Sequence, residues 1–222
     1  MRGSVKKNDN IRLALKWPIS KVEKALTNSS QDDLIAFMRA RYSERYFQPL
    51  DVLNSLQDGP GFAVMSLCCL LIETFQAYRT GLPSSDKREL ERLSKVPGAP
   101  KVGTPYYLDP VEFPHDNGEP FRCFFTSQKS FFPDVDGGRF YQSIRNGLLH
   151  QSQTKDGWRI KIATGRLWNK GKRIVDRGLF VCHLRIYFNS YLRELAGLSA
   201  TNDAVAKAKR KIWWLCFSSK RN

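Results

Sequence analysis

The chain has 222 residues and a formal net charge of +15 at pH 7, from 36 lysines and arginines and 21 aspartates and glutamates. This length is enough to bury a hydrophobic core, and it fits one domain or one domain with an insertion. The charge is uneven, because residues 155–222 contain 16 basic and 4 acidic residues, a difference of +12. Such a surplus predicts a partner with many phosphates, with a solubilising surface charge as the alternative.

The five cysteines argue against a disulfide framework. They are odd in number, form no C-x-x-C pair, and mostly lie in apolar runs. We therefore expect buried free thiols in a reducing compartment, at positions Cys68, Cys69, Cys123, Cys182 and Cys216. No signal peptide is recognisable. No continuous apolar run reaches the 18 residues that a membrane-spanning helix needs. These observations together predict a cytoplasmic protein.

The first quarter of the chain predicts a basic arm followed by a long helix. Residues 1–28 are basic and weakly periodic, which is typical of an arm with at most one short helix. Ser30 followed by Asp32 is a helix start signal, because a hydroxyl caps the first amides and a carboxylate favours the positive end of the helix dipole. Apolar residues then recur at helical period, so we predict a helix over residues 31–57, ended by residues 58–61.

A second helix is predicted to lie at the centre of the core. Phe62 to Ile72 is apolar almost throughout, which indicates a helix covered on every side. Glu73 is the first charge after this run, and Gly81 ends the helix. Glu73 has two interpretations. It either supports a catalytic arginine or marks the point at which the helix reaches water.

A proline-rich segment separates this helix from the next one. Residues 82–120 contain seven prolines and no sustained period, so we predict a long irregular insertion. His115 in this insertion has no second ligand at metal spacing, which favours a solvated loop histidine. Residues 121–132 predict a short helix or a strand whose phenylalanines contribute to the core.

The densest group of chemically useful side chains lies in the run from Phe140 to His150. Apolar residues spaced by three and four predict a helix that is buried on one side. In such a helix Asn146 and His150 share a face, and Arg145 lies about 100° away around the axis. A guanidinium binds phosphate through two parallel hydrogen bonds, and an imidazole gains or loses a proton near neutral pH. These three residues form the candidate catalytic group.

The segment after the candidate group predicts a small β-hairpin over residues 157–176. Residues 158–162 alternate between apolar and basic side chains, which indicates a strand with a basic outer face. Residues 174–175 are the expected partner strand. The basic side chains of the segment are candidate RNA-binding residues, namely Arg159, Lys161, Lys170, Lys172 and Arg173.

Two further helices complete the predicted elements. Residues 180–195 predict an amphipathic helix in which His183 is a core or interface histidine. Residues 201–217 predict a basic helix that contains the pair Trp213–Trp214. Such a helix could contact RNA, an anionic membrane or a partner helix, or it docks its tryptophans on the body of the domain.

The sequence lacks the familiar phosphate and metal motifs. It has no Gly-rich phosphate loop, no H-E-x-x-H and no cluster of acidic residues able to hold two magnesium ions. We therefore expect phosphodiester chemistry without a metal or another cofactor, in which the 2′-OH of RNA attacks the neighbouring phosphorus in line. His150 would act as general base or acid, and Arg145 would stabilise negative charge on the phosphoryl oxygens. Asn146 would hold the phosphate or orient the imidazole.

The pattern R-x4-H from Arg145 to His150, with Asn146 directly after the arginine, resembles the signature of the HEPN superfamily. The order of predicted helices extends the resemblance over roughly residues 30–197. The resemblance implies an all-helical bundle and a metal-independent endoribonuclease of toxin, antiphage or RNA-processing systems. It also implies a homodimer in which the motif helices of two subunits form one composite cleft. An antitoxin or another regulatory partner is compatible with such systems.

Two features depart from that family pattern. Members paired with nucleotidyltransferase antitoxins carry a tyrosine two residues after the histidine, whereas this chain has Ser152. The difference argues against that mode of regulation. The proline-rich insertion also lies outside the minimal helical bundle.

The favoured hypothesis is one HEPN-like domain over residues 29–222 that cleaves RNA and leaves a 2′,3′-cyclic phosphate. The alternative is a HEPN-like module that binds RNA or nucleotides without cutting them. A third hypothesis is an interaction or membrane-surface protein that uses the basic helix with the tryptophan pair.

Overall fold

The computed structural model describes residues 11–220, and its regular structure is mostly helical, so the predicted mainly α fold class is confirmed. The elements of the first half are β1 (Arg12–Ala14), β2 (Trp17–Pro18), α1 (Ile19–Thr27), α2 (Gln31–Tyr42), α3 (Gln48–Ser55), α4 (Gly61–Thr80) and α5 (Lys87–Ser94). The elements of the second half are α6 (Glu119–Ser127), α7 (Gly137–Arg139), α8 (Asn146–Gln151), β3 (Arg159–Lys161), β4 (Trp168–Asn169), β5 (Ile174–Asp176), α9 (Arg177–Gly197) and α10 (Asp203–Ser219). Two π-helical segments, Ser43–Phe47 and Phe140–Arg145, join α2 to α3 and α7 to α8.

Helix α4 is the centre of the fold, because α6, α9 and α10 all pack against it. Its buried residues recur on several faces and are Val64, Met65, Cys68, Cys69, Leu71, Ile72, Phe75, Ala77 and Tyr78. Phe75 stacks on Phe188 of α9, with ring centroids 5.1 Å apart and planes inclined by 10°. Stacked aromatic rings add attraction beyond the burial of their area. The predicted central helix is therefore present, and it continues to Thr80.

In the part of the chain that the structure describes, α4 is also the one helix whose length and composition would allow it to cross a membrane. Half of its most apolar 18-residue window is buried inside the fold. The core helix of a folded domain has the same composition, so α4 is weak evidence for a membrane span.

The long helix predicted for residues 31–57 corresponds to α2, a π-helical segment and α3, which follow one another without a break from Gln31 to Ser55. The Ser30 hydroxyl accepts a hydrogen bond from the Asp33 amide at 3.4 Å, as the capping signal predicted. Tyr42 packs edge-on against Phe75, with ring centroids 5.8 Å apart. This helix therefore covers one side of α4.

The basic arm predicted for residues 1–28 requires a correction. Residues 1–10 lie outside the described part of the chain, but residues 12–27 form β1, β2 and α1 and pack into the core. Ile19 and Val22 of α1 are fully buried. Apolar residues at three and four spacing give α1 a buried face. The helix is short and its other face is charged, so its periodicity was masked in the sequence.

The insertion at residues 82–120 is also more ordered than predicted. It contains α5 and a short 3-10 turn, Pro110–Glu112. A second apolar cluster joins the insertion to α10 and comprises Leu82, Leu90, Leu93, Leu108, Phe113 and Trp214. The Trp214 indole donates a hydrogen bond to the carbonyl oxygen of Tyr106 at 2.9 Å, and Trp213 stacks on the Tyr106 ring at 5.1 Å. The tryptophan pair thus docks on the domain, which removes the feature that supported a membrane-surface protein.

Helix α10 also completes the C-terminal end of α4. Arg210 donates to the carbonyl oxygens of Thr80 at 2.7 Å and Gly81 at 3.0 Å, and it forms an ion pair with Glu112 at 2.7 Å. The last carbonyl groups of a helix have no partner within the helix. Arg210 supplies that partner from a different element.

The predicted hairpin is a three-stranded sheet with the order β3-β5-β4. Strands β4 and β5 are antiparallel and form a hairpin, but β3 pairs with β5 in parallel, so residues 158–162 and 174–175 are not hairpin partners. Trp158 and Trp168 are buried beneath the sheet and stack with ring centroids 3.8 Å apart. Their burial places β3 and β4 against the core.

The segment after α8 folds back over that helix because Gly147 has no side chain. A Cβ atom at this position would lie 2.4 Å from the carbonyl oxygen of Gln153 and 3.1 Å from the amide nitrogen of Lys155. The Lys155 amide also donates to the Ser143 carbonyl oxygen at 2.8 Å. The absence of a side chain at Gly147 therefore permits this close approach.

Replacement of Gly147 by alanine is expected to lower the free energy of unfolding by about 1–3 kcal/mol, because the new methyl group meets backbone atoms that cannot move independently. Gly197→Ala is the matched control, since a Cβ atom there meets no atom within 4 Å. It should leave stability unchanged or raise it by up to about 1 kcal/mol. Chemical denaturation of both variants tests the difference, and equal stability would contradict the close approach.

Candidate functional site

The candidate catalytic residues lie on residues 137–151, which we call the motif helix. It consists of α7, the π-helical segment Phe140–Arg145 and α8. The Asp136 carboxylate caps its start by accepting from the Arg139 amide at 2.9 Å. Phe140 and Ile144 are fully buried, so one side of the helix is fixed in the core. π-helical turns inside α-helices are uncommon and frequently mark functional sites.

Arg145 is held on three sides. Its Nε atom donates to Oε1 of Glu73 at 3.1 Å, and its Nη1 atom donates to Oδ1 of Asn146 at 3.3 Å. The guanidinium carbon lies 5.5 Å from the ring centroid of Tyr141. Nη2 makes no hydrogen bond to any residue between 11 and 220. The guanidinium is therefore fixed in position while one terminal nitrogen keeps its donor capacity.

Glu73 lies where α4 meets the motif helix. The side chains of Glu73 and Arg145 are each only 17% exposed to solvent, so the ion pair is largely shielded from water. Burial raises the pKa of the Glu73 carboxyl, and the nearby Arg145 charge only partly opposes that effect. The Glu73 carboxylate contacts the Arg145 guanidinium, as the first of the two interpretations of Glu73 requires.

Asn146 and His150 both lie on α8, four residues apart, and therefore share a face. Asn146 is half-buried and turns its amide oxygen towards Arg145. His150 is exposed, and its side chain makes no hydrogen bond or ion pair with the residues that the structure describes. The imidazole is thus accessible to a ligand, whereas the arginine is accessible only in part.

The five predicted RNA-binding residues are all exposed and lie on the three-stranded sheet or on its β4–β5 turn: Arg159, Lys161, Lys170, Lys172 and Arg173. The Arg173 side chain donates to the carbonyl oxygen of Asp156 at 2.7 Å. Asp156 in turn accepts from the Ser143 hydroxyl at 2.5 Å. The basic sheet is therefore joined to the motif helix through the segment that folds back over α8.

The other candidate side chains are accounted for by structure. Nδ1 of His183 contacts the carbonyl oxygen of Phe131, which fits the predicted interface histidine. His115 is exposed in the insertion. The cysteines are free; three of them are buried, but Cys123 and Cys182 are exposed. Among residues 11–220 no three His, Cys, Asp or Glu side chains come together in a way that could hold a metal ion.

Sequence reasoning missed two contacts of the motif helix. Tyr141 packs its ring on Arg145, and Ser143 bonds Asp156. The first contact had a signal, because residues four apart on a helix are neighbours. The second joins residues 13 positions apart across a bend and had no local signal.

The pH dependence of stability tests the environment of Glu73. Because the carboxyl pKa is raised in the folded protein, the folded state retains a proton that the unfolded state has already lost. The stabilising contribution of that proton is fully present below the pKa of an unfolded glutamate, and it is lost as pH rises through the folded value. The stability of the wild type should therefore fall relative to Glu73→Gln over this window. Denaturant titrations between about pH 4 and 7 check this, and parallel curves would contradict it.

Comparison with known proteins identifies no relative. No protein-family model matches the chain, and no curated protein or solved structure matches it. The functional argument therefore depends on the geometry of the motif helix and its surroundings.

Proposed function

We propose that this chain is a metal-independent endoribonuclease of the HEPN type, with Arg145, Asn146 and His150 as its catalytic residues. The observation that supports the proposal most directly is the pairing of a positioned arginine with an accessible histidine on one short helix. Arg145 is fixed by Glu73 through Nε, which leaves Nη2 for a phosphoryl oxygen. His150 is exposed one helical turn beyond Asn146.

The proposed reaction uses the nucleophile of the RNA itself. The ribose 2′-OH forms a bond to the adjacent phosphorus, the bond from phosphorus to the 5′-oxygen breaks, and the products carry a 2′,3′-cyclic phosphate and a 5′-hydroxyl. One imidazole removes the proton of the 2′-OH, and one acid donates a proton to the leaving oxygen. Arg145 stabilises the extra negative charge on the phosphoryl oxygens.

A single copy supplies one histidine for these two proton transfers, so we propose a homodimer through the motif helix. Glu73 contacts Arg145 and Gly61 lies against Ile160, so the chain from Arg145 to Ile160 runs antiparallel to α4. Leu149, directly before His150, is an exposed apolar side chain, at 44% of full exposure. An exposed apolar residue next to His150 is suited to contact a second copy related by a two-fold axis.

The basic three-stranded sheet is the proposed path of the RNA backbone towards the motif helix. Its five exposed cations attract phosphates without reading the sequence of bases. We place the activity in the cytoplasm, in a toxin, antiphage or RNA-processing role in which an antitoxin or regulatory partner controls the cleavage.

A second candidate function is a non-catalytic module that binds RNA or nucleotides. The burial of Arg145 favours it, since only 17% of that side chain is exposed and its Nε atom already has a carboxylate partner. In such a module the ion pair stabilises the fold and the basic sheet alone binds the ligand. The two functions differ in what happens when His150 is removed.

Cleavage of RNA in the presence of EDTA tests the proposed reaction. His150→Ala should lower the rate by about 10²–10⁴, because a general acid or base contributes that much. His115→Ala is the matched control, since this histidine is also exposed but lies in the insertion. It should leave the rate unchanged. A wild-type protein that does not cut, or a His150→Ala variant that cuts as fast, would favour the binding module.

The dimer is tested by changing one exposed apolar side chain. Leu149→Asp should convert the protein to a monomer and reduce cleavage, because a carboxylate would be buried at the two-fold contact. Ile186→Asp is the control, since Ile186 is exposed to a similar extent, 49%, on α9. Light scattering coupled to gel filtration gives the mass of each variant. A wild-type monomer, or the same mass for both variants, would contradict the proposed interface.

A further inference from the structure

A cleft lies between the start of α4 and strand β3, away from the motif residues. It encloses about 310 Å³, which is at the lower end of the size of small-molecule sites. Gly61 forms part of one wall, where a Cβ atom would lie only 3.1 Å from Cγ2 of Ile160. Lys161 and Arg177 line the cleft from the sheet side and from the start of α9. These two cations make the cleft a candidate for an anionic ligand.

The main observation is the burial of Arg177, whose charge has no carboxylate partner in the part of the chain that the structure describes. Only 3% of the surface of Arg177 is exposed to solvent. Its Nη2 atom donates to the carbonyl oxygens of Leu56 and Gln57, the latter at 3.0 Å. Among residues 11–220, Nε and Nη1 have no hydrogen-bond partner and no carboxylate forms an ion pair with the guanidinium. A buried charge is expensive unless it is paired, so an anion in the cleft would supply the missing partner.

The start of α4 provides further donors to the same cleft. The helix is 20 residues long, its N-cap is Pro60, and no side chain caps it. Its first amides therefore lack partners within the helix, and the helix dipole adds partial positive charge at this end. Backbone amides at such a terminus bind phosphate oxygens well. Gly61 and Phe62, the first two residues of α4, both line the cleft.

One carboxylate, Asp58, also lines the cleft and reduces its positive potential. Asp58 is exposed, and it forms no ion pair with Arg177 or Lys161. The cleft therefore has two positive side chains and the positive end of a helix, against one solvated carboxylate. This net positive charge favours binding of an anion with several acceptor oxygens.

We propose that this cleft binds a phosphate group through Arg177, Lys161 and the first amides of α4. Gly61 and Glu73 are 12 residues apart on one helix, so the cleft lies about 18 Å from the level of Arg145. One phosphate group cannot reach both places. The ligand is therefore a free phosphate or nucleotide, or a second phosphate of an RNA chain. The site does not depend on cleavage of RNA.

Binding to the full-length protein tests the proposal with three probes at low salt, namely inorganic phosphate, AMP and a short RNA whose 2′-hydroxyls are methylated. The wild type should bind at least one probe saturably. Phe62→Glu should weaken that binding about tenfold or more, because a carboxylate is placed at the mouth of the cleft. Ala63→Glu is the matched control, since it adds the same charge in the same exposed turn but does not line the cleft. It should bind as the wild type does.

Three other variants complete the test. Lys161→Gln should weaken binding, whereas Lys129→Gln, which removes an exposed cation outside both the cleft and the basic sheet, should not. Asp58→Asn should strengthen binding because it removes the opposing carboxylate. Saturable binding of phosphate or AMP assigns a free ligand, and binding of the RNA alone assigns a backbone phosphate. The absence of saturable binding by the wild type, or equal weakening by Phe62→Glu and Ala63→Glu, would overturn the proposal.

Because the methylated RNA cannot be cut and no probe requires cleavage, the result is independent of the proposed nuclease activity. A protein that binds phosphate in the cleft but cuts no RNA would support this site and contradict the proposed function. A protein that cuts RNA but binds no probe would do the reverse. Isothermal titration calorimetry measures the affinity of each variant directly.

Discussion

The fold depends on the need to cover the apolar faces of α4. A helix that buries residues on most of its faces cannot lie at a surface, so each neighbouring element packs against it. The two ends of α4 nevertheless carry backbone groups without helical partners. At one end Arg210 binds the carbonyl groups of Thr80 and Gly81, and at the other end Gly61 and Phe62 line a cleft. Polar side chains and backbone groups thus gather at the two ends of the apolar helix α4.

The net charge of +15 is divided between two uses. Some arginines are buried and serve as multiple hydrogen-bond donors to backbone carbonyls or to a carboxylate. Other cations stay exposed on the small sheet and keep their charge available to a polyanion. A total charge taken from the sequence cannot separate these two groups. The separation depends on which side chains the tertiary structure buries.

The sequence predicted the elements whose patterns are long and regular. The helix from Gln31 to Ser55 has a cap and a sustained apolar stripe, and α4 has an uninterrupted apolar run. The sequence allowed one short helix in residues 1–28, but the packing of α1 into the core was not predicted, because nine residues give few repeats and lysines lie between the apolar positions. The parallel pairing of β3 with β5 was missed because strands of three residues do not specify their direction.

The candidate site was predictable only in part, because local contacts follow from helix geometry and long-range contacts do not. Arg145, Asn146 and His150 are close in sequence, so helical geometry alone brings them together. The contact between Glu73 and Arg145 joins residues 72 positions apart, and the sequence could only suggest it. Arg177 was not predicted, because a buried arginine and an exposed one look the same in a sequence. Its surroundings depend on the carbonyl groups of residues 56 and 57, which are 120 positions away or more.

The way these buried arginines bind has a consequence for substitutions that preserve charge. Arg210 reaches three carbonyl groups and a carboxylate, and Arg145 uses two nitrogens and the face of its plane. A lysine has one nitrogen on a flexible stem and cannot make such contacts at once. At the exposed sheet positions Lys161, Lys170 and Lys172, whose side chains make no hydrogen bond to residues 11–220, either residue type serves. Arginine and lysine are therefore interchangeable on one surface of this protein and distinct in its interior.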